Sequence, residues 1–233
     1  MSDKTVLIIG EGKGEIGNDL DQPLNPDDGL PALPRLVHRL SDEPENGRYV
    51  CWKLSEMVRH HARSRPAHSA TPKKSDSKTA IAARVIARNR DYVGAVLVVD
   101  CDGPDGTVRM DNLKVGRDYA AFADHPPLAL GQAVEAFDAW MIADGLAIGQ
   151  ADGDAENNHP QPEKLTRHKH AGQLPKERAA EIFGVSSDGT GLGKKYPIVA
   201  QHVDLGFLER ACPEGFKPFA DEVRKHIAPV VSE

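Results

Sequence analysis

Ala95-Val-Leu-Val-Val-Asp-Cys-Asp-Gly-Pro-Asp-Gly106 sets an unbroken apolar run against a cluster of acids and turn formers. Five consecutive apolar residues without alternation suit a strand buried on both faces of a parallel sheet. The turn residues end it and leave Asp100 and Asp102 at its C-terminal edge. Near the N-terminus Val6-Leu-Ile-Ile9 has the same character, stops at Gly10 and is followed by Glu11. Two such strands side by side place both sets of acids on one rim, where active sites of open α/β sheets lie.

Working outward, Asn18 to Pro34 reads as a long loop before a helix over Leu33 to Leu40, and Arg48 to Leu54 as a further strand. Arg63 to Ser77 reads as a flexible crossing, with Ser77 as N-cap of a helix over Lys78 to Asn89. A short strand over Leu128 to Leu130 precedes an expected helix from Gln132 to Asp144, carrying Val134, Phe137, Trp140 and Met141 inward and closed by Gly145. Gly149 to Pro162 is expected to be a mobile acidic loop. Helices are expected near Lys176 to Phe183, Ile198 to Val203 and Phe216 to His226, with Gly-rich Ser186 to Gly193 as connector. The fold class is α/β, a mostly parallel sheet flanked by helices. The division is 1–148 for the α/β domain and 149–233 for a helical C-terminal elaboration packed on it.

The chain has 233 residues, 39% of them hydrophobic, and a net charge of -6, with a mean hydropathy of -0.46. It has material for one core and no run approaching a membrane span, and its first residues lack an export leader, so a cytoplasmic protein without membrane contact is expected. Cys51, Cys101 and Cys212 form no C-x-x-C pair and read as buried, reduced thiols. Between Arg59 and Arg90 basic residues far outnumber the single acid Asp76, a local excess in an acidic chain that could meet phosphates.

Gly12-Lys-Gly-Glu-Ile-Gly17 satisfies G-x-G-x-x-G after a strand, yet the dinucleotide motif must open a helix, and a proline-bearing loop follows instead. Gly189-Thr-Gly-Leu-Gly-Lys194 lacks the full phosphate-loop spacing, which argues against nucleotide hydrolysis. Asp100-x-Asp102 does not fit a calcium-binding helical loop, because a strand precedes it. The dull reading of D-x-D is turn chemistry. A second acid, Glu11, at the end of another strand tips the balance toward a hard cation, Mg²⁺ or Mn²⁺.

Glu11 after the first strand and Asp100-Cys-Asp102 after a later one resemble the Glu and D-x-D signature of TOPRIM domains, found in topoisomerases, primases and nucleases. More narrowly, Glu11-Gly-Lys-Gly-Glu15, the strand before Asp100, Val134-Glu-Ala-Phe-Asp-Ala-Trp-Met-Ile-Ala-Asp144, Pro162-Glu-Lys-Leu165 and Cys212-Pro-Glu-Gly-Phe-Lys-Pro-Phe219 are similar to an uncharacterised family of small TOPRIM-like proteins. The resemblance spans nearly the whole chain, departing where Asp138 stands for a more usual Glu. It implies Mg²⁺-dependent phosphodiester cleavage, with Glu11, Glu15, Asp100 and Asp102 as metal ligands, Glu11 as ligand or base, and Lys13 beside the scissile phosphate. It also implies a setting in bacterial anti-phage defence and an ATPase encoded nearby as partner.

Glu135, Asp138 and Asp144 are candidate accessory acids, Glu135 and Asp138 sharing a face if the helix runs through both. Arg59, Arg63 and Arg65 form one basic cluster, and Lys164 with Arg167-His-Lys-His170 another; each could grip a DNA or RNA backbone. Their histidines read as solvated rather than as ligands. The expected function is a Mg²⁺-dependent nuclease. The rivals are a non-catalytic TOPRIM-like subunit bound to an ATPase, and a phosphohydrolase acting on small esters.

Overall fold

The computed structural model describes residues 4–17, 22–42, 44–63, 75–101, 106–167, 174–186 and 188–232. In chain order the first half comprises β1 (Lys4–Gly10), α1 (Lys13–Ile16), β2 (Pro23–Leu24), α2 (Ala32–Leu40), β3 (Gly47–Lys53), α3 (Leu54–Arg63), α4 (Ser75–Asn89) and β4 (Gly94–Cys101). The second half comprises α5 (Gly106–Arg117), β5 (Leu128–Val134), α6 (Phe137–Met141), α7 (Gly145–Gln150), α8 (Pro175–Ile182), α9 (Leu192–His202), α10 (Leu205–Ala211), α11 (Phe216–His226) and α12 (Ala228–Ser232). The sheet runs β2-β3-β1-β4-β5, parallel throughout except for β2, which pairs antiparallel at one edge. No helix among the described residues is long and apolar enough to cross a membrane.

Both apolar runs are central strands, and their continuity has a simple cause. Val6 and Ile8 enter one core with Tyr49, Cys51, Val96 and Val98, while Leu7 and Ile9 enter the other with Val50, Trp52, Leu97 and Val99. A strand covered on both faces needs apolar residues at every position. The first core is closed by α2 and by α6 through α11; the second is closed by α3, α4 and α5. C-terminal helices therefore complete the sheet's own core: Trp140 of α6 stacks on Phe219 of α11 at 5.4 Å between centroids and meets Phe216 edge-on at 5.2 Å.

Several sequence expectations are corrected. β5 continues to Val134 instead of stopping at Leu130, and the helix expected from Gln132 shrinks to the five residues of α6. Gly131 permits this, because a Cβ there would meet the Phe219 ring at 2.7 Å and Val98 at 2.9 Å. Gly145 opens α7 rather than closing a helix. The stretch expected to be a mobile loop is packed: the Asp154 amide donates to the Ile182 carbonyl at 2.8 Å, and Arg178 Nη2 donates to the Asn157 carbonyl at 3.1 Å. α5 has no counterpart in the sequence reading, since Val108 and Val115, 54% and 57% exposed, break its apolar period.

The edge strand β5 is covered as well. Glu222 of α11 accepts from the Leu130 amide at 3.3 Å and from Arg117 Nη1 at 2.6 Å, so a carboxylate occupies the ladder position that another chain would use.

Ser77 does not cap α4. The helix starts at Ser75, and the buried Ser77 hydroxyl donates to the Asn112 carbonyl of α5 at 2.7 Å. Here α4 and α5 nearly touch: a Cβ on Gly116 would lie 2.1 Å from the Ser77 carbonyl oxygen. Alanine in place of a helical glycine normally gains up to about 1 kcal/mol, whereas forcing an added methyl group against rigid backbone costs about 1 to 3 kcal/mol. Gly116→Ala is therefore expected to lower the urea midpoint of the chain; an unchanged or higher midpoint would refute this close packing.

Candidate functional site

β1 and β4 are neighbours, and the chain leaves them on opposite faces: α2, after β1, packs on one core, and α5, after β4, on the other. Such a switch point opens a crevice at the C-terminal ends of the strands. Glu11 and Asp100 stand on its two lips. The cleft above them has a volume of about 780 Å³ and is lined by Glu11, Glu15, Asp100 and Asp138 and by Lys176 and Lys194.

Arg109, from α5, reaches across this rim. Its Nη2 donates to Glu11 Oε1 at 2.8 Å, its Nη1 to the Asp100 carbonyl at 2.9 Å, and its Nε lies 3.9 Å from Asp76 Oδ1. The same Glu11 oxygen accepts from the Asp100 amide at 3.4 Å. One guanidinium thus ties the ends of both strands to the start of α4. Asp100 Oδ1 accepts from the Phe137 amide at 3.1 Å, satisfying a donor in the first turn of α6.

Glu15 sits behind the rim, 7% exposed, with Oε2 accepting from the Glu11 amide at 3.1 Å. Burial, then the negative charge of Asp100, raise its pKa well above the ordinary glutamate value; Asp138 and Glu11 add to the rise, and the amide hydrogen bond opposes it. Burial likewise raises Asp138, opposed by the hydroxyl of Tyr196, which donates to Asp138 Oδ1.

Of the expected metal set, the structure brings together Glu11, Glu15 and Asp100, while Asp102 lies outside the described residues. Among the described residues no group of three or more His, Cys, Asp or Glu side chains is arranged to hold a metal ion. The donor chemistry nevertheless fits a hard divalent cation. Carboxylate oxygens from two strand ends face one cleft, and the repulsion felt at Glu15 is the kind that added positive charge relieves. Lys13 begins α1 at the same rim.

The accessory acids separate. Asp138 lines the cleft. Glu135 precedes α6 in a left-handed conformation, φ 68°, so the helical face that would have aligned it with Asp138 does not exist. Asp144 caps α7: Oδ1 accepts from the Leu146 and Ala147 amides at 2.9 and 3.4 Å, and Oδ2 from the Asp204 amide at 3.0 Å. Arg59, on the exposed face of α3, donates to the Ser55 carbonyl, and neither Arg59 nor half-buried Lys164 lines the cleft. Arg63 ends α3, and Arg65 and His168 to His170 lie outside the described residues. Arg84, within the basic stretch, turns inward and donates to the Arg117, His125 and Pro126 carbonyls.

The cations that line the cleft, Lys176 and Lys194, come from segments far along the chain from the acid motifs, so their meeting with the acids has no local signal in the sequence. The Gly-rich stretch expected as a connector, Ser186 to Gly193, contributes to the cleft: residues 188 to 194 line it. Gly189 and Gly191 adopt φ of 79° and 106° there, a backbone that side chains disfavour.

Compared with known protein families, curated proteins and solved structures, the chain matches none.

Two outcomes follow from these roles. Asp144→Ala removes a helix cap and should cost about 1 to 2 kcal/mol in urea unfolding, with Asp144→Asn recovering much of it; an alanine variant as stable as wild type would refute the capping role. Because folded Glu15 holds its proton more tightly than the unfolded chain does, the native state binds more protons between the ordinary and the raised value. Stability is then greatest below the ordinary value and falls as pH rises through that interval. With EDTA present, Glu15→Gln should melt higher than wild type at pH 8, and the gap should shrink toward pH 4; a gap independent of pH would show that Glu15 does not titrate this way.

Proposed function

We propose that the chain is a TOPRIM-type phosphodiesterase that cleaves DNA or RNA with Mg²⁺ or Mn²⁺. The supporting observation is the meeting of Glu11 and Asp100 at the switch point between two parallel strands, with buried Glu15 strained by their charge behind them. Glu11 and Asp100 would hold the cation, with Asp102 as the third acid of the motif. When bound, the cation supplies Lewis-acid activation of water and screening of the charge on phosphate. Arg109 keeps the Glu11 carboxylate at the end of β4, and so presents it in one orientation. Lys176 and Lys194 bring positive charge to the cleft, where a backbone phosphate would be balanced. Glu15, holding a proton more readily than an ordinary glutamate, can take one from water or return one to a leaving oxygen.

The cleft's volume also falls within the roughly 300 to 1,000 Å³ of small-ligand pockets. That favours, as a second reading, hydrolysis of a small phosphate ester by the same carboxylates. The implied ATPase partner and anti-phage setting rest on the resemblance alone.

Plasmid DNA, total tRNA and p-nitrophenyl phosphate esters, each with Mg²⁺, Mn²⁺ or EDTA, separate these readings. Asp100→Asn and Glu11→Gln are the informative variants, since each keeps the acceptor for Phe137 or Arg109 while removing charge. Polymer cleavage that depends on metal and falls about 100-fold or more in either variant is the expected result, a loss on the scale of removing one electrostatic group at a reacting centre. Turnover of the small esters alone would replace the nuclease with the second reading. Wild type inert toward all three substrates would overturn both.

A further inference from the structure

Asp138 faces the cleft beside the metal-directing acids, and a tyrosine hydroxyl donates to it. The Tyr196 hydroxyl, from the second turn of α9, donates to Asp138 Oδ1. Tyr196 is 2% exposed, its ring packed at 6.3 Å from Phe137 and 6.2 Å from Phe183. Burial and the neighbouring Asp138 charge raise its pKa well above that of an ordinary tyrosine, so the hydroxyl keeps its proton and remains the donor. The helix that carries Tyr196 starts from the Gly189 to Lys194 wall, and Asp138 belongs to α6, whose first amide is bound by Asp100. A side-chain hydrogen bond thus joins the Gly-rich wall to the acid rim. The two walls are in ordinary contact at their base: a Cβ on Gly14 would lie 3.6 Å from the Tyr196 ring, and one on Gly193 would lie 3.8 Å from the Gly14 Cα.

We propose that Asp138 is a positioning residue rather than a metal ligand: through Tyr196 it sets the distance between the Gly189–Lys194 wall and the Glu11–Asp100 rim, and so the fit of substrate in the cleft. The inference rests on the phosphodiesterase reading for what is bound, but not for the strut itself. Tyr196 lies at the helix turn that follows the glycines, so loss of its anchor frees the wall while every other carboxylate stays in place. Asparagine at 138 retains an acceptor oxygen for the hydroxyl and loses the charge, which separates holding Tyr196 from holding a cation.

The test compares the full-length wild type with Asp138→Asn, Asp138→Ala, Tyr196→Phe and the Asp138→Ala/Tyr196→Phe double variant. It reads Mn²⁺ affinity by calorimetry, KM and kcat for the cleaved polymer, urea midpoints, and amide hydrogen exchange. The strut requires Tyr196→Phe and Asp138→Ala to raise KM together, by about tenfold. Their Mn²⁺ Kd should stay within about threefold of wild type, against the 10- to 100-fold that loss of support for a metal ligand costs. Asp138→Asn should restore KM, the double variant should be no worse than either single one, and Tyr196→Phe should speed exchange at residues 189–193 while leaving the β1 and β4 amides protected. Tenfold weaker Mn²⁺ binding in Asp138→Asn with Tyr196→Phe silent would make Asp138 a ligand and overturn the proposal. If the wild type neither binds Mn²⁺ nor cleaves any substrate, the phosphodiesterase reading falls by itself. The unfolding cycle and the exchange data then decide the strut: non-additive midpoints with faster exchange at 189–193 support it, and additive midpoints or unchanged exchange overturn it.

Discussion

Two carboxylates of like charge, Glu11 and Asp100, end adjacent parallel strands, and the surroundings of the cleft answer the repulsion that this creates. In water the cost would be small; at a partly buried strand edge it is several times larger. Arg109 supplies the compensating charge from a helix on the far face of the sheet, with two of its nitrogens donating to the ends of both strands. Its ion pair with Glu11 leaves both side chains about 30% exposed, so its value lies less in net stability than in orientation. A guanidinium that bridges a carboxylate and a backbone carbonyl leaves Glu11 few alternative rotamers.

The opposite wall is built differently. A hydrogen bond joins it to the rim. The segments at Gly14 and Gly193 lie at van der Waals distance, and the buried Tyr196 hydroxyl donates to Asp138. Glu163 shows the same logic deeper in the molecule. Its carboxylate accepts the amides of Glu214, Gly215 and Phe216 at 2.8, 2.8 and 3.2 Å, at the start of α11. Burial raises its pKa although all three amides favour the charged form, so desolvation outweighs them. The Pro162-Glu-Lys-Leu and Cys212-Pro-Glu-Gly-Phe segments, quoted separately from the sequence, are thereby one contact, and it ties the C-terminal helices to the aromatic cluster around Trp140.

What lines the cleft is electrically mixed, with the carboxylates of Glu11, Glu15, Asp100, Asp138 and Asp188 and the ammonium groups of Lys176 and Lys194. A phosphodiester bound with a divalent cation presents the complementary pattern, positive toward the acids and negative toward the lysines. This complementarity is a property of the tertiary arrangement, since Lys176 and Lys194 are far along the chain from Glu11 and Asp100.

By itself the sequence determined the central strands and the rim. Uninterrupted apolar runs ending in turn formers admit few other arrangements, and Glu11 and Asp100 follow from where those runs stop. α2 and α11 were legible for a related reason, because each carries an amphipathic period between clear breakers. Only the tertiary structure decided the rest. It drew β5 through Val134 against local helical spacing, since Gly131 allowed Phe219 to seat on the strand; it turned Asp144 into a cap and put Glu135 in a left-handed turn. It formed α5 from a segment whose exposed valines conceal the period, and it selected Arg109, Lys176 and Tyr196 as partners of the acids. Hydrophobic periodicity is a local signal and can be read along the chain, whereas the pairing of charges and the close approach of glycines depend on which distant segments meet.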